Sequence, residues 1–263
     1  MVPSFFGSRE RPLFGIYHPP AGSRTRDVGV LLCYPAPQEY MRTYWAFRKL
    51  AHKLAQEGFH VFRFDYLGTG DSSGDSAEVS LAGFRESLVG AARELRDVAH
   101  VQKLSAVGFR LGAALAASAR DLPLHDLVLW EPVVRGARYV DELRQIQASE
   151  LAEDLRPPFR VEDAPRELLG FPFPEPLERE LRALDLTALP APRASRVAVM
   201  VSNDAPAFRE LAQVLAQRGL SAVYRHVPDE GARSEADLGA ALLASNMLDA
   251  IVALLASPEK PRA

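Results

Sequence analysis

The chain holds a single cysteine, Cys33. No intrachain disulfide can form, and a reducing compartment with a cytoplasmic location is the expectation. Long apolar runs are missing too. None approaches the ~18 residues of a membrane-crossing helix, and the opening MVPSFFGSRERPLFG holds no apolar stretch of signal-peptide length. Charge of one sign is not in excess: 31 Lys and Arg oppose 34 Asp and Glu, for a formal net charge of -3. With a pI of about 6.1, neither a nucleic-acid partner nor a polycationic one is expected. The histidines, His18, His52, His60, His100, His125 and His226, are scattered singly, so no metal site is expected. Gly68-x-Gly70 precedes no phosphate-loop lysine, and no cofactor is expected.

What is present suits a large α/β domain. Hydrophobic residues make up 48% of 263, enough to bury a full core in one domain with an insertion. Two short strands are expected at Phe5-Phe6 and at residues 13–17. Residues 28–34 (VGVLLCY), 60–64, 104–107 and 127–130 are short apolar runs, as strands buried on both faces require. Between them, residues 44–56 and 80–99 carry apolar residues at helical spacing, with Leu81, Phe84, Leu88, Leu95 and Val98 expected inward. Strands separated by such helices predict right-handed crossovers and a mostly parallel sheet.

The alternation breaks at residue 135. Eight of the twenty prolines lie between Pro157 and Pro192, which rules out long uninterrupted helices there. Helices are expected over residues 138–155 and 177–186. Phe159, Leu168, Leu169, Phe171 and Phe173 need something to pack against, which favours an inserted cap over a polar linker. The expected division is a core of residues 1–134 and 193–263 with a cap of residues 135–192. Alternation resumes with a strand at 196–201, a helix at 206–217, a strand at 221–227 and a helix at 237–256.

Residues 103–119, KLSAVGFRLGAALAASA, are the centre of this pattern. A buried strand, a tight turn between Gly108 and Gly112 and a small-residue helix have the form of a nucleophile elbow, G-x-S-x-G, with Arg110 where that motif has serine. A guanidinium stays protonated and offers no lone pair for attack. Two roles fit. Arg110 stands at a helix start on the carboxyl edge of the sheet, where α/β proteins bind ligands, and its fork suits a carboxylate or phosphate. Alternatively it is pinned by an internal acid. Glu131 is the first candidate because it ends the next strand, and Glu39 and Asp204 are the others. Cys33 lies in an apolar strand and is expected to be inert. Asp65, Asp71 and Asp75 lie in a turn-rich loop and are expected to cap turns.

Several stretches together resemble the α/β-hydrolase superfamily. They are Pro35-Ala36-Pro37-Gln38-Glu39-Tyr40-Met41, the FDYLGTGDSSG run (64–74), Gly108-Phe109-Arg110-Leu111-Gly112-Ala113, Trp130-Glu131-Pro132-Val133-Val134 and Gly170-Phe171-Pro172. Within it the chain is similar to the serine-aminopeptidase-like group and its exosortase-A-system-associated hydrolase branch. The resemblance implies acyl, ester or amide hydrolysis near exopolysaccharide or acyl-carrier pathways. It places the nucleophile position on Arg110, an acid near Asp204, and the base in residues 227–236, where Ala232 or Arg233 stands and no histidine does. His226 lies earlier, in the expected strand. The N–H of Leu111 would serve one side of an oxyanion hole. Tyr34-Pro35 replaces the family's His-Gly, and proline has no N–H, so Ala36 or Gln38 would supply the other.

The functional expectation is a divergent protein of this fold, lacking the serine nucleophile and histidine base. It acts on or binds a small acyl, ester, thioester or other anionic ligand, free or carrier-bound. Arg110, Glu131 and Asp204 are the candidate catalytic residues, and Tyr34, Ala36, Gln38, Glu39, Leu111 and His226 the candidate ligand contacts. A non-catalytic binding or scaffold protein and a lyase- or cyclase-type enzyme are the alternatives, and a homo-oligomer is open.

Overall fold

The computed structural model describes residues 1–22, 24–153, 166–228, 242 and 244–257. Val2–Gly7 (β1) and Pro12–His18 (β2) pair antiparallel. Val28–Cys33 (β3) is buried from its second residue onward, as its apolar run requires. The helix that follows, Pro37–Gln56 (α1), starts well before residue 44, where the apolar spacing placed it. Pro37 sits at its N-terminus, where a fixed φ and a missing N–H cost nothing. The apolar stripe of that first turn is broken by Gln38 and Glu39, which is why the period did not show it.

His60–Phe64 (β4), Leu81–Ala99 (α2), Lys103–Phe109 (β5), Leu111–Ser118 (α3) and Leu124–Trp130 (β6) follow. The Ser80 hydroxyl caps α2 by accepting from the Gly83 N–H at 3.1 Å. Leu81, Phe84, Leu88 and Leu95 face inward, but Val98 is exposed on the last turn, contrary to its expected place. Gly136–Glu153 (α4), Glu167–Leu168 (β7), Phe171–Pro172 (β8) and Glu175–Arg182 (α5) lie between β6 and Ala194–Val201 (β9). Pro206–Gln217 (α6), Ser221–His226 (β10) and Ser245–Ala256 (α7) complete the order. The expected strand ends at 34 and 227 fall just outside β3 and β10.

Eight strands form one sheet in the order β1-β2-β4-β3-β5-β6-β9-β10. It is parallel from β4 to β10, and only β1/β2 and β2/β4 are antiparallel. Trp130 is the largest fully buried side chain, set 4.7 Å from Phe109 and 6.1 Å from Phe47 between ring centroids.

The stretch between β6 and β9 is tied together at its two ends. The Gly136 N–H donates to Leu184 O, the Leu186 N–H donates to Val134 O, and Arg135 bridges Asp185. Those bonds stop α5 at Arg182, short of residue 186. Leu168 and Phe173 are buried, as apolar residues there should be; Phe159 lies outside the described residues. α7 starts at Ser245, not 237. Leu242 instead gives its N–H to Arg42 O, and residues 237–241 lie outside the described ones.

One buried pair carries a pH consequence. His18 on β2 is 2% exposed, and its Nε2 accepts from Arg63 Nε at 3.1 Å. Burial, then the charge of Arg63, then that of His52, hold its pKa down to about 3 from 6.5. Below pH 6.5 the unfolded chain takes a proton that the folded one refuses. Stability therefore falls as pH drops from 6.5 toward 3, by up to about 1.4 kcal/mol per pH unit from this group. Urea melts between pH 7 and pH 4 should show a shallower loss for His18→Gln than for the parent. Equal slopes would remove His18 as the cause.

Candidate functional site

β5 delivers the chain to the carboxyl edge of the sheet, and α3 leaves from there. Between them Arg110 has φ 51° and ψ −115°, backbone that a residue with a side chain adopts only under constraint. Three hydrogen bonds hold it. The Arg110 N–H donates to Trp130 O, and Arg110 O accepts from the Val133 and Ala114 N–H groups. The glycines two places either side permit the turn. A Cβ on Gly112 would lie 2.2 Å from both Cys33 O and Tyr34 O, and one on Gly108 would lie 2.5 Å from Ala113 Cα. α3 is thus pressed against the ends of β3 and β5, and its residues 111–117 are all buried. The strand–turn–helix read from the sequence is present in full.

The guanidinium does not find its partner in Glu131. Arg110 Nε donates to Glu39 Oε1 at 3.0 Å, and Nη2 to Glu142 Oε2 at 3.3 Å. Its carbon lies 5.2 Å from the centroid of the Tyr139 ring, a cation–π contact. Glu39 is 4% exposed. Its second oxygen accepts from the Tyr139 hydroxyl at 2.7 Å. Burial, and next the charge of Glu39, push the Tyr139 phenol well up, so it stays a donor. Glu142 also accepts from Arg138 Nε at 3.1 Å. α1 supplies Glu39, the elbow supplies Arg110, and α4 supplies Tyr139 and Glu142.

Two hollows meet at this cluster. The larger, about 510 Å³, is lined chiefly by apolar groups: Tyr34, Ala36, Tyr40 and Leu111, and Tyr139, Leu143, Phe171 and Phe173 from the stretch between β6 and β9. Gln38 lines it and reaches across, its Nε2 3.5 Å from Leu168 O. Asp65 is the only carboxylate among the described lining residues. Its side chain accepts from the Asp71 N–H and the Tyr40 hydroxyl, both at 3.1 Å. This is the turn-capping work expected of it, and burial raises its pKa. Asp75 likewise accepts from the Ala77 N–H. Arg110 lines the smaller hollow instead, about 100 Å³, with Pro132, Val134, Arg138, Glu142, Asn203 and Phe208. Tyr139 belongs to both and is the wall between them.

The remaining candidates stand apart. Glu131 has φ 44°, and its carboxylate accepts from the N–H and hydroxyl of Ser202 at the end of β9. Asp204 follows β9 as expected, but Arg209 and the Tyr224 hydroxyl hold its carboxylate well below the usual range. His226 is exposed at the end of β10, with Nε2 3.1 Å from Ser202 O. Neither Asp204 nor His226 lines either hollow. Ala232 and Arg233 lie outside the described residues. Cys33 is fully buried, and burial pushes its thiol up. Among the described residues no group of three His, Cys, Asp or Glu can hold a metal, and no helix is long and apolar enough to cross a membrane. Sequence reasoning missed Tyr139 and Glu142. Their three-residue spacing on one helix face was the available signal, but nothing local says that this face meets the elbow.

A family model described as acyl transferase matches residues 36–137, from the start of α1 to the start of α4, elbow included. No curated protein sequence matches the chain. Solved structures match along nearly its whole length. A proline iminopeptidase from Mycobacterium smegmatis superposes with a TM-score of 0.63 at 12% identity, covering 97% of this chain and 96% of that one. A serine hydrolase without a lid from Xanthomonas campestris gives 0.58 at 16%, covering 99% and 96%. Mouse alpha/beta hydrolase domain-containing protein 10 gives 0.55 at 18%, covering 97% and 100%. The fold is that of the α/β hydrolases.

Proposed function

We propose that the protein binds a small acyl ligand, presented as an ester or thioester, in the larger hollow, and that it forms no serine acyl-enzyme. In this reading residues 135–192 act as a cap over a hydrolase core of residues 1–134 and 193–263. The observation that carries it is the state of the elbow tip. Its guanidinium is engaged by Glu39 and Glu142, while an apolar hollow of about 510 Å³ opens beside Leu111. That volume is within the ordinary range for small-molecule sites, and apolar walls suit a hydrocarbon tail. The acyl-transferase likeness of residues 36–137 favours an activated acyl group over a plain hydrocarbon. Tyr34, Ala36, Gln38 and Leu111 are the proposed ligand contacts. Glu39 serves the elbow instead, and Asp204 and His226 take no part.

The test pairs binding with turnover. Titration with an environment-sensitive fluorescent acyl probe should saturate at one site per chain and be displaced by acyl thioesters. Acyl esters and thioesters should show no hydrolysis above the buffer blank, and a serine-directed phosphonate should leave residues 108–112 unlabelled. Arg110→Ser should not create turnover, because losing the base alone costs on the order of 10⁶ in rate. Absence of saturable binding, or labelling at the elbow, would overturn the reading.

A further inference from the structure

The outer face of α1 is the strongest feature that the acyl-binding reading leaves unused. Met41 and Trp45 stand four residues apart, one turn above the other, and are 73% and 54% exposed. The next turns of the same face carry Arg48, Lys49 and His52, with Lys49 and His52 exposed. Arg48 stacks over the Trp45 ring at 5.1 Å. The only carboxylate of the helix, Glu39, is turned inward and is 4% exposed. This face is therefore aromatic and apolar at its N-terminal end and basic beyond it, on a protein whose formal net charge is -3.

Its position gives it a use. Met41 lines the larger hollow, as do the half-buried Phe171 and Pro172 of β8. The apolar end of the face is thus continuous with the wall of the hollow. Tryptophan favours the boundary between hydrocarbon and water, and basic side chains beside it favour anionic headgroups. We propose that this face docks the protein on an anionic lipid bilayer, with the larger hollow turned toward the acyl chains. The choice of ligand rests on the acyl-binding reading; the docking does not. The docking is peripheral, through one helix face whose charge selects the lipid and sets the orientation.

The two tryptophans make the experiment direct, because Trp45 is exposed while Trp130 is 1% exposed. The full chain is mixed with phosphatidylcholine vesicles, either plain or containing about one-third phosphatidylglycerol, where each basic side chain near the surface adds roughly fivefold to binding. The protein should co-sediment with the anionic vesicles and not with the neutral ones. Trp45 emission should shift to the blue and be quenched by brominated acyl chains, a response lost in Trp45→Phe. Lys49→Glu with Arg48→Glu should reduce retention by at least tenfold. Binding of a water-soluble short-chain acyl probe, measured without vesicles, should be unchanged in Trp45→Phe and Lys49→Glu.

Three results would overturn the proposal: no retention, equal retention on neutral vesicles, or retention that the charge reversals leave unmoved. Lipid-free dimerisation abolished by Trp45→Ser would assign the face to a second copy and overturn it too. Vesicle binding without probe binding would sink the acyl-binding reading and leave the docking standing. Probe binding without vesicle retention would do the reverse.

Discussion

Arg110→Ala is expected to destabilise the protein by about 3–5 kcal/mol, the range for removing one partner of a buried pair. The loss comes from what is left behind. Glu39 is 4% exposed and would be left with the Tyr139 hydroxyl as its remaining described partner. The cation that also stacks on Tyr139 and reaches Glu142 would be gone. Glu142 is 39% exposed along its side chain, so its share is small. For a chain of this size the shift in Tm is roughly 10 °C. A double-mutant cycle gives the sharper reading. Arg110→Met with Glu39→Gln removes both charges and should be clearly more stable than Arg110→Met alone, because contacting partners are not additive. Thermal and urea melts of the four proteins decide it. A loss below about 1 kcal/mol for Arg110→Ala would mean that the pair does not fasten the first turn of α1 to the elbow.

Gly112→Ala should be at least as damaging, although it adds one methyl group. That methyl would lie 2.2 Å from Cys33 O and from Tyr34 O. Both atoms belong to backbone at the end of β3 and cannot swing aside as a side-chain end can. Overpacking ordinarily costs about 1–3 kcal/mol, and this case should reach or pass the upper end. The expected outcome is a protein recovered mostly insoluble, or one with a broadened, earlier urea transition. A variant melting within about 2 °C of the parent, less than 1 kcal/mol on the usual conversion, would show that α3 can lift off β3. The close contact would then not be what sets the elbow.

Much of the framework was legible because burial on both faces leaves a plain signature. Residues 28–34 and 127–130 read as strands from their unbroken apolar runs, and the small residues of 111–117 announced a helix pressed on a sheet. What escaped depends on contacts between distant segments. β5 has two neighbours, β3 and β6. Arg110 can therefore reach an acid after either strand. Glu131 follows β6, Glu39 follows β3, and local pattern does not choose between them. The structure does, because the positive φ of Glu131 goes with a carboxylate directed to Ser202, while the first turn of α1 presents Glu39 to the elbow. That first turn was itself hidden, since Gln38 and Glu39 break the apolar period at the point where they matter most. Tyr139 and Glu142 were hidden for the same reason: a helix face shows its own spacing but not its neighbour.

The seat at residue 110 is a mould cast by its surroundings. The carbonyls of Cys33 and Tyr34 and the hydrogen bonds to Trp130, Val133 and Ala114 dictate its shape, and none of them involves the side chain that stands there. Such a site can exchange its occupant without recasting the backbone. The glycine two places on resists replacement because backbone crowds it, whereas a change at the tip is felt through the partners its side chain leaves behind and not through the shape of the turn.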